Sequence, residues 1–257
     1  MELPIPFEHT MRQLLGDEYA TFREALLDEP AVSIRLNPTK YGATLQYKPV
    51  PWATNGYYLP QRPSFTYDPL LHAGCYYVQE ASSMFVEQAV KQHLHEANIA
   101  LDLCAAPGGK STLLRSLLPD DCVLVSNEVM RQRAQVLAEN ITKWGHPRCI
   151  VTSNYPADFT PLGALFDLIL VDAPCSGEGM FRKDEVAVAE WSPENVEVCW
   201  QRQRDMCINS PRKRKGQNEE RVAYRVRVQF DAPPRADPRD DRGLRGLSPP
   251  DLNDGRV

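Results

Sequence analysis

Four short apolar runs mark the middle of the chain: "NIALDLCAA", "DCVLVSNE", "RCIVTSN" and "FDLILVDAP". Each has the character of a strand buried on both faces. Helical patterns lie between them, "KSTLLRSLL" and "MRQRAQVLAENITKWG", the second stopped by Gly145. Buried strands alternating with helices imply an α/β fold built on a doubly wound parallel sheet. Such sheets bind ligands beyond the carboxyl ends of their strands. The chemically informative residues of this sequence fall at those ends.

The flanking segments differ in texture. "FEHTMRQLLGDEYATFREALLDE" carries apolar residues at helical spacing and reads as one or two short helices, and "AVSIRLNPTK" as a strand ending at Asn37-Pro38. Residues 41–75 are rich in Pro, Tyr and Gly, so 1–75 is read as a small N-terminal α+β module. The core is read as 76–208, opening with a helix in "EASSMFVEQAVKQHL" that Ser82 or Ser83 starts. It closes with a helix in "SPENVEVCWQRQRDM", Ser192 as N-cap and Pro193 at the first position. From 209 to 257 Arg, Pro, Asp and Gly dominate, and only "RVAYRVRVQF" alternates like a strand. A tail of that composition buries too little apolar area to offset its ordering entropy, and disorder is expected there.

Charge and cysteines limit the partners. The formal charge is −5, yet from Met206 onward 12 Lys/Arg face 8 Asp/Glu, leaving 17 basic and 26 acidic residues in the body. An acidic body binds phosphate backbones poorly, so any RNA contact requires a local patch. The seven cysteines form no Cys-x-x-Cys pair and no His/Cys metal spacing. No metal and no disulfide framework are expected, with most cysteines small buried hydrophobes and one or two reactive. The start has no basic head before an apolar core, and no apolar window approaches a membrane span, so a soluble cytoplasmic chain is expected.

Three features converge on ligand chemistry. "LDLCAAPGGKS" is a strand, a turn and a helix start, in which Cys104, Ala105, Ala106, Pro107, Gly108, Gly109 and Lys110 would bring backbone amides to a carboxylate or phosphate. A P-loop needs glycine where Cys104 stands, and the dinucleotide pattern Gly-x-Gly-x-x-Gly is absent, which leaves a nicotinamide-dependent dehydrogenase a weak reading. Glu128 ends the second strand, 19 residues beyond Gly109, where nucleoside-binding sheets grip ribose hydroxyls. A ligand with a ribose and no pyrophosphate is called for, and S-adenosylmethionine fits. Asp172-Ala-Pro-Cys175 ends the fourth strand on the same edge: a carboxylate able to bond a base ring or amine, and a thiol able to attack an electron-poor carbon or act in elimination.

Together "LDLCAAPGGKS", "FDLILVDAPCSGEGMFRK", "SIRLNP" and "GCYYVQEASSM" resemble the Sun-type RNA cytosine-5 methyltransferases, over about residues 5–205. Within them the likeness is to the bacterial small-subunit ribosomal RNA methyltransferase F group. The resemblance implies a Rossmann-like core that binds S-adenosylmethionine, with an N-terminal RNA-contacting module. The implied reaction is methylation of cytosine C5 in ribosomal RNA, by a monomer with no membrane partner. In such families one cysteine adds to cytosine C6, making C5 nucleophilic enough to take the methyl group. The Pro-Cys cysteine, here Cys175, then assists product release beside Asp172.

Two departures from the family pattern stand out. The attacking cysteine of the family lies in a Thr-Cys pair on the next strand, and this sequence contains no Thr-Cys. After "CWQRQRDM" the Arg/Pro tail takes the place of the family's next helix and strand, as a truncated or frameshifted frame would produce. In "TSNYPADF" Tyr155 stands where the family has an aspartate for the adenine amine, with Asn154 or Asp158 able to substitute. The rival reading is a non-catalytic S-adenosylmethionine-binding RNA adaptor.

Overall fold

The computed structural model describes residues 2–42, 44–94 and 96–208. The expectations for 209–257, including the strand-like "RVAYRVRVQF", lie outside the described residues, as does the side chain of Cys207.

The chain opens with two helices, α1 (Ile5–Leu15) and α2 (Tyr19–Ala25), joined by one 3-10 turn. An antiparallel sheet follows: β1 (Val32–Leu36) lies between β2 (Gly56–Leu59) and β3 (Tyr76–Val78), with a short α3 (Pro69–His72) before β3. β3 therefore completes the N-terminal sheet just past residue 75, through the pairs Arg35↔Tyr77 and Leu36↔Tyr76. The helix expected next is a 3-10 turn over Ser82–Phe85 running into α4 (Val86–His93). Neither serine caps it. Ser83 Oγ instead donates to the Glu80 carbonyl at 2.8 Å.

The central alternation forms as the pattern requires. β4 (Ile99–Asp102), α5 (Gly109–Leu117), β5 (Val123–Asn127), α6 (Arg131–Trp144), β6 (Cys149–Thr152) and β7 (Leu168–Leu170) make a wholly parallel sheet of order β6-β5-β4-β7. Alternate residues of β4 serve opposite layers. Ala100 packs with Leu113, Leu114 and Leu168, and Leu101 with Phe159, Phe166 and Val171. Gly145 ends α6 in the left-handed region at φ 84°, as its position predicts. β6 departs from expectation: it is one of the two edge strands of this sheet among the described residues, with Ile150 exposed. The cysteines depart as well. Among the described residues only Cys122 is fully buried, and Cys175 is exposed.

Beyond β7 come α7 (Glu185–Glu190), which the sequence pattern did not reveal, and α8 (Pro193–Ile208). Ser192 Oγ accepts from the Asn195 amide at 3.2 Å, the expected cap. The N-terminal helices pack here, in one buried cluster with Phe181, Val188 and Trp191. Phe7 meets Phe181 and Trp191 with ring centroids 5.0 and 5.6 Å away, in edge-on contacts. Among the described residues no helix is long and apolar enough to cross a membrane.

Candidate functional site

The chain order of the parallel strands reverses direction between β4 and β7, and ligands of open α/β sheets bind beyond the carboxyl ends at such a point. The turn from Cys104 to Lys110 leaves β4 there. Gly108 takes φ 114°, open to glycine and strained for other residues, and α5 starts at Gly109. The turn rests on α6, where a Cβ on Gly108 would come 3.3 Å from Leu137. Ala105 and Ala106 share a buried cluster with Leu137 and Ile141. The Ala106–Pro107 peptide is cis.

Glu128 follows β5 and is buried. Its Oε1 accepts from the Met130 amide at 3.0 Å, and its Oε2 lies 3.4 Å from Arg133 Nη1. Arg133 also donates to the Ala106 carbonyl at 3.0 Å, tying Glu128 to the turn. Asp172, two residues past β7, receives Lys110 Nζ at 2.6 Å. The glycine turn, Glu128 and Asp172 thus share one edge of the sheet.

Cys104 lies among these carboxylates. Burial pushes its thiol up to about 12, and Asp102, Glu128 and Asp172 add to the rise. It stays protonated at neutral pH, a packed thiol whose Sγ lies 3.7 Å from Met206 Sδ on α8. Cys175 sits on the exposed loop beyond β7. That loop is tied to α8 where Gln203 Nε2 donates to the Pro174 carbonyl at 3.0 Å. Gly177 turns it at φ 86°, and Glu178 accepts from Ser176 Oγ at 2.7 Å and Trp191 Nε1 at 2.8 Å.

Tyr155 follows β6 and is 68 % exposed. Its amide donates to Asp158 Oδ2 at 2.8 Å, which commits one oxygen of that carboxylate to a backbone turn. Asn154 is held by its backbone: its amide donates to Asn127 Oδ1 at 3.0 Å, and its carbonyl accepts from Asn127 Nδ2 at 2.9 Å.

Asn127 is a residue that sequence reasoning missed. It is fully buried at the end of β5, and its amide also reaches the Leu103 carbonyl and the Thr152 hydroxyl. One side chain so binds the ends of β4, β5 and β6 together. Asp102 is the second such residue. It is buried beneath the turn, with Oδ2 accepting from Ser111 Oγ at 2.7 Å and Oδ1 unpartnered. An apolar run ending in a carboxylate was the available signal for Asp102. A lone strand-end asparagine offers none.

The family described as 16S rRNA methyltransferase RsmB/F matches residues 89–216. The N-terminal domain of 16S rRNA methyltransferase RsmF matches residues 3–81. A Pectobacterium atrosepticum protein named ribosomal RNA small subunit methyltransferase F is 33 % identical over 225 residues, covering 81 % of this chain and 46 % of the relative. Its Vibrio cholerae counterpart is 36 % identical over 216 residues, covering 77 % of this chain and 45 % of the relative. The chain spans about half the length of these curated relatives. Among solved structures, a methyltransferase homologue from Pyrococcus horikoshii superposes with TM-score 0.65 at 27 % identity, covering 80 % of this chain and 69 % of that one. NSun6 from the same organism gives 0.67 at 17 % identity, covering 80 % and 79 %, a likeness of fold.

Proposed function

The chain belongs to the RsmB/F family of 16S rRNA methyltransferases, and from that premise we propose that it binds S-adenosylmethionine at the carboxyl edge of its parallel sheet and serves methylation of cytosine C5 in small-subunit ribosomal RNA. The observation that carries this reading is the meeting of the Cys104–Lys110 turn, Glu128 and Asp172 on one edge.

The donor set fits the cofactor. Amides at the start of α5 suit its carboxylate, and the Glu128 carboxylate suits the ribose hydroxyls. The unpartnered Oδ1 of Asp102 leaves a polar group without a bond at the floor of the same turn. Around the adenine the reading takes Tyr155, with Asn154 and Asp158 beside it. When bound, S-adenosylmethionine supplies an electrophilic methyl group. Asp172, with Lys110 alongside, would accept a hydrogen bond from the amine or ring of the target cytosine. Cys175 is read as the thiol that assists release. The segment expected as 1–75, which β3 extends to Val78, is taken as the RNA-contacting module and the remainder up to 208 as the core, working as a cytoplasmic monomer.

Attack at cytosine C6 needs a thiolate, and Cys104 is held as a thiol by burial among carboxylates. The absence of any Thr-Cys pair therefore favours a second reading for this 257-residue chain, an S-adenosylmethionine-binding RNA adaptor without turnover. Calorimetry with S-adenosylhomocysteine, followed by tritiated-methyl transfer to unmodified ribosomal RNA, tests both. No cofactor binding would reject them together, and transfer separates one from the other.

A further inference from the structure

Arg35 stands in β1, 1 % exposed. Its guanidinium donates to neutral groups. Nε reaches Gln79 Oε1 at 2.7 Å, and Nη2 reaches Thr112 Oγ1 at 2.6 Å and the Gly109 carbonyl at 3.2 Å. Nη1 lies 3.4 Å from the Thr112 carbonyl and 3.5 Å from Ser116 Oγ. The guanidinium carbon also lies over the Trp144 ring, 4.6 Å from its centroid. Among the described residues no carboxylate forms an ion pair with it. Burial pulls its pKa down to about 9, against a smaller opposing field from Glu87.

This is an unfavourable place for a cation. The first turn of α5 is the positive end of that helix, and a buried charge without a counter-charge costs stability. Both costs fall when an anion occupies the far side of the same turn. The neighbouring strand supports the turn as well: Tyr77, the register partner of Arg35, donates its hydroxyl to the Pro107 carbonyl at 3.3 Å. A Cβ on Gly109 would come 3.3 Å from the Tyr77 ring and 3.7 Å from the Gln79 amide. The N-terminal sheet so braces the turn from Pro107 to Thr112.

We infer that Arg35 is a positioning residue for the cofactor turn: it fixes Gly109 and Thr112 so that the α5 amides face the anionic end of the ligand, and it contributes buried positive charge that favours a carboxylate there. The inference rests on the cofactor reading above. It makes the N-terminal sheet part of the framework of the cofactor site as well as an RNA-contacting surface.

The test uses the full chain, with Arg35→Gln, Arg35→Lys and Thr112→Val. Each is titrated calorimetrically with S-adenosylhomocysteine and with 5′-methylthioadenosine, which lacks the amino-acid carboxylate. Arg35→Gln is expected to weaken S-adenosylhomocysteine about tenfold or more and methylthioadenosine less than about twofold. Arg35→Lys keeps the charge and loses the planar fork, so an intermediate, equally selective loss is expected. Thr112→Val leaves Arg35 in place and removes its nearest acceptor, and it decides the matter should Arg35→Gln fail to fold. Its expected loss is smaller and again confined to the carboxylate-bearing ligand. Equal losses for both ligands, or none, in Arg35→Lys and Thr112→Val would overturn the inference while leaving the cofactor reading intact. A wild-type chain that binds neither ligand would overturn the cofactor reading, and this inference with it.

Discussion

Lys110 Nζ lies 2.6 Å from Asp172 Oδ2, joining the first turn of α5 to the segment that leaves β7. Parallel pairing of β4 with β7 brings these two residues together across 62 positions of sequence. The pair sits where the strand order reverses, the place at which ligands of open α/β sheets bind.

Partial exposure of both side chains limits what this pair adds to stability. Lys110→Met is expected to change unfolding free energy by about 1 kcal/mol or less, as for other solvent-screened pairs. Urea denaturation measures it. A loss several times larger would mean that the pair holds the turn itself.

Glu128 is expected to matter for the ligand more than for the fold. Its carboxylate is already engaged by the Met130 amide and, at longer range, by Arg133, so it is oriented before any ribose arrives. Glu128→Ala should weaken cofactor binding by about 1–3 kcal/mol, the value of a lost charge-assisted hydrogen bond. Calorimetry showing unchanged affinity would remove Glu128 from the site.

Asp102 should make stability depend on pH. Desolvation raises its pKa to about 7, with Ser111 pulling it back and Asp172 pushing it further up. An unfolded aspartate titrates near 3.9, so between roughly pH 4 and 7 the folded chain keeps a proton that the unfolded chain has lost. The contribution of this group therefore falls as pH rises through that window and stays low above it. Asp102→Asn, which does not ionise, should gain on the order of 1–3 kcal/mol over wild type at pH 8 relative to the difference at pH 4. Urea melts across pH would show it, and a difference independent of pH would rule out ionisation of Asp102 as its source.

Docking of the N-terminal sheet on the core depends on a close backbone approach at Gly74. A Cβ there would come 1.8 Å from the Lys143 carbonyl oxygen, at φ +70°. Asn37 Nδ2 donates to both the Gly74 and Trp144 carbonyls at 3.0 Å, holding the same contact. Gly74→Ala should cost about 2 kcal/mol or more, through strain and overpacking. Gly42→Ala has nothing within 4 Å of its new carbon and serves as the control. Equal melting temperatures for the two variants would contradict the docking described.

The four parallel strands, the Gly145 stop and the Ser192 cap were legible in the sequence because each depends on residues near one another in the chain. The common edge of Glu128 and Asp172 was legible because parallel pairing follows from the alternation. What stayed hidden depends on distant partners. Arg35 reads as one charge in a strand, and only docking against α5 and Trp144 shows it buried. Asn127 reads as a polar strand end until β4 and β6 close around it. The packing of Phe7 on Phe181 and Trp191 joins the two ends of the described chain, and no local pattern carries that information.

Covalent activation of cytosine needs a thiolate placed at C6, because C5 alone is a poor nucleophile. Cys104 is in the site but pushed up to about 12, so its thiolate population at neutral pH is negligible. Cys122 is pushed to about 11 and lies in the core cluster under α4 and α5. Among the described cysteines Cys175 is the exposed one, on the loop past Asp172 that is tied to α8 through Pro174. In the Sun-type pattern a Pro-Cys cysteine serves release, whereas in the DNA cytosine-5 methyltransferases it attacks. The 257-residue chain is expected to bind S-adenosylhomocysteine and to show no multiple-turnover transfer of tritiated methyl groups to unmodified ribosomal RNA. Sustained turnover that Cys175→Ser abolishes would make Cys175 the nucleophile and refute the expectation. Turnover that survives Cys175→Ser would refute it too, and would move the search for the attacking thiol to the remaining cysteines.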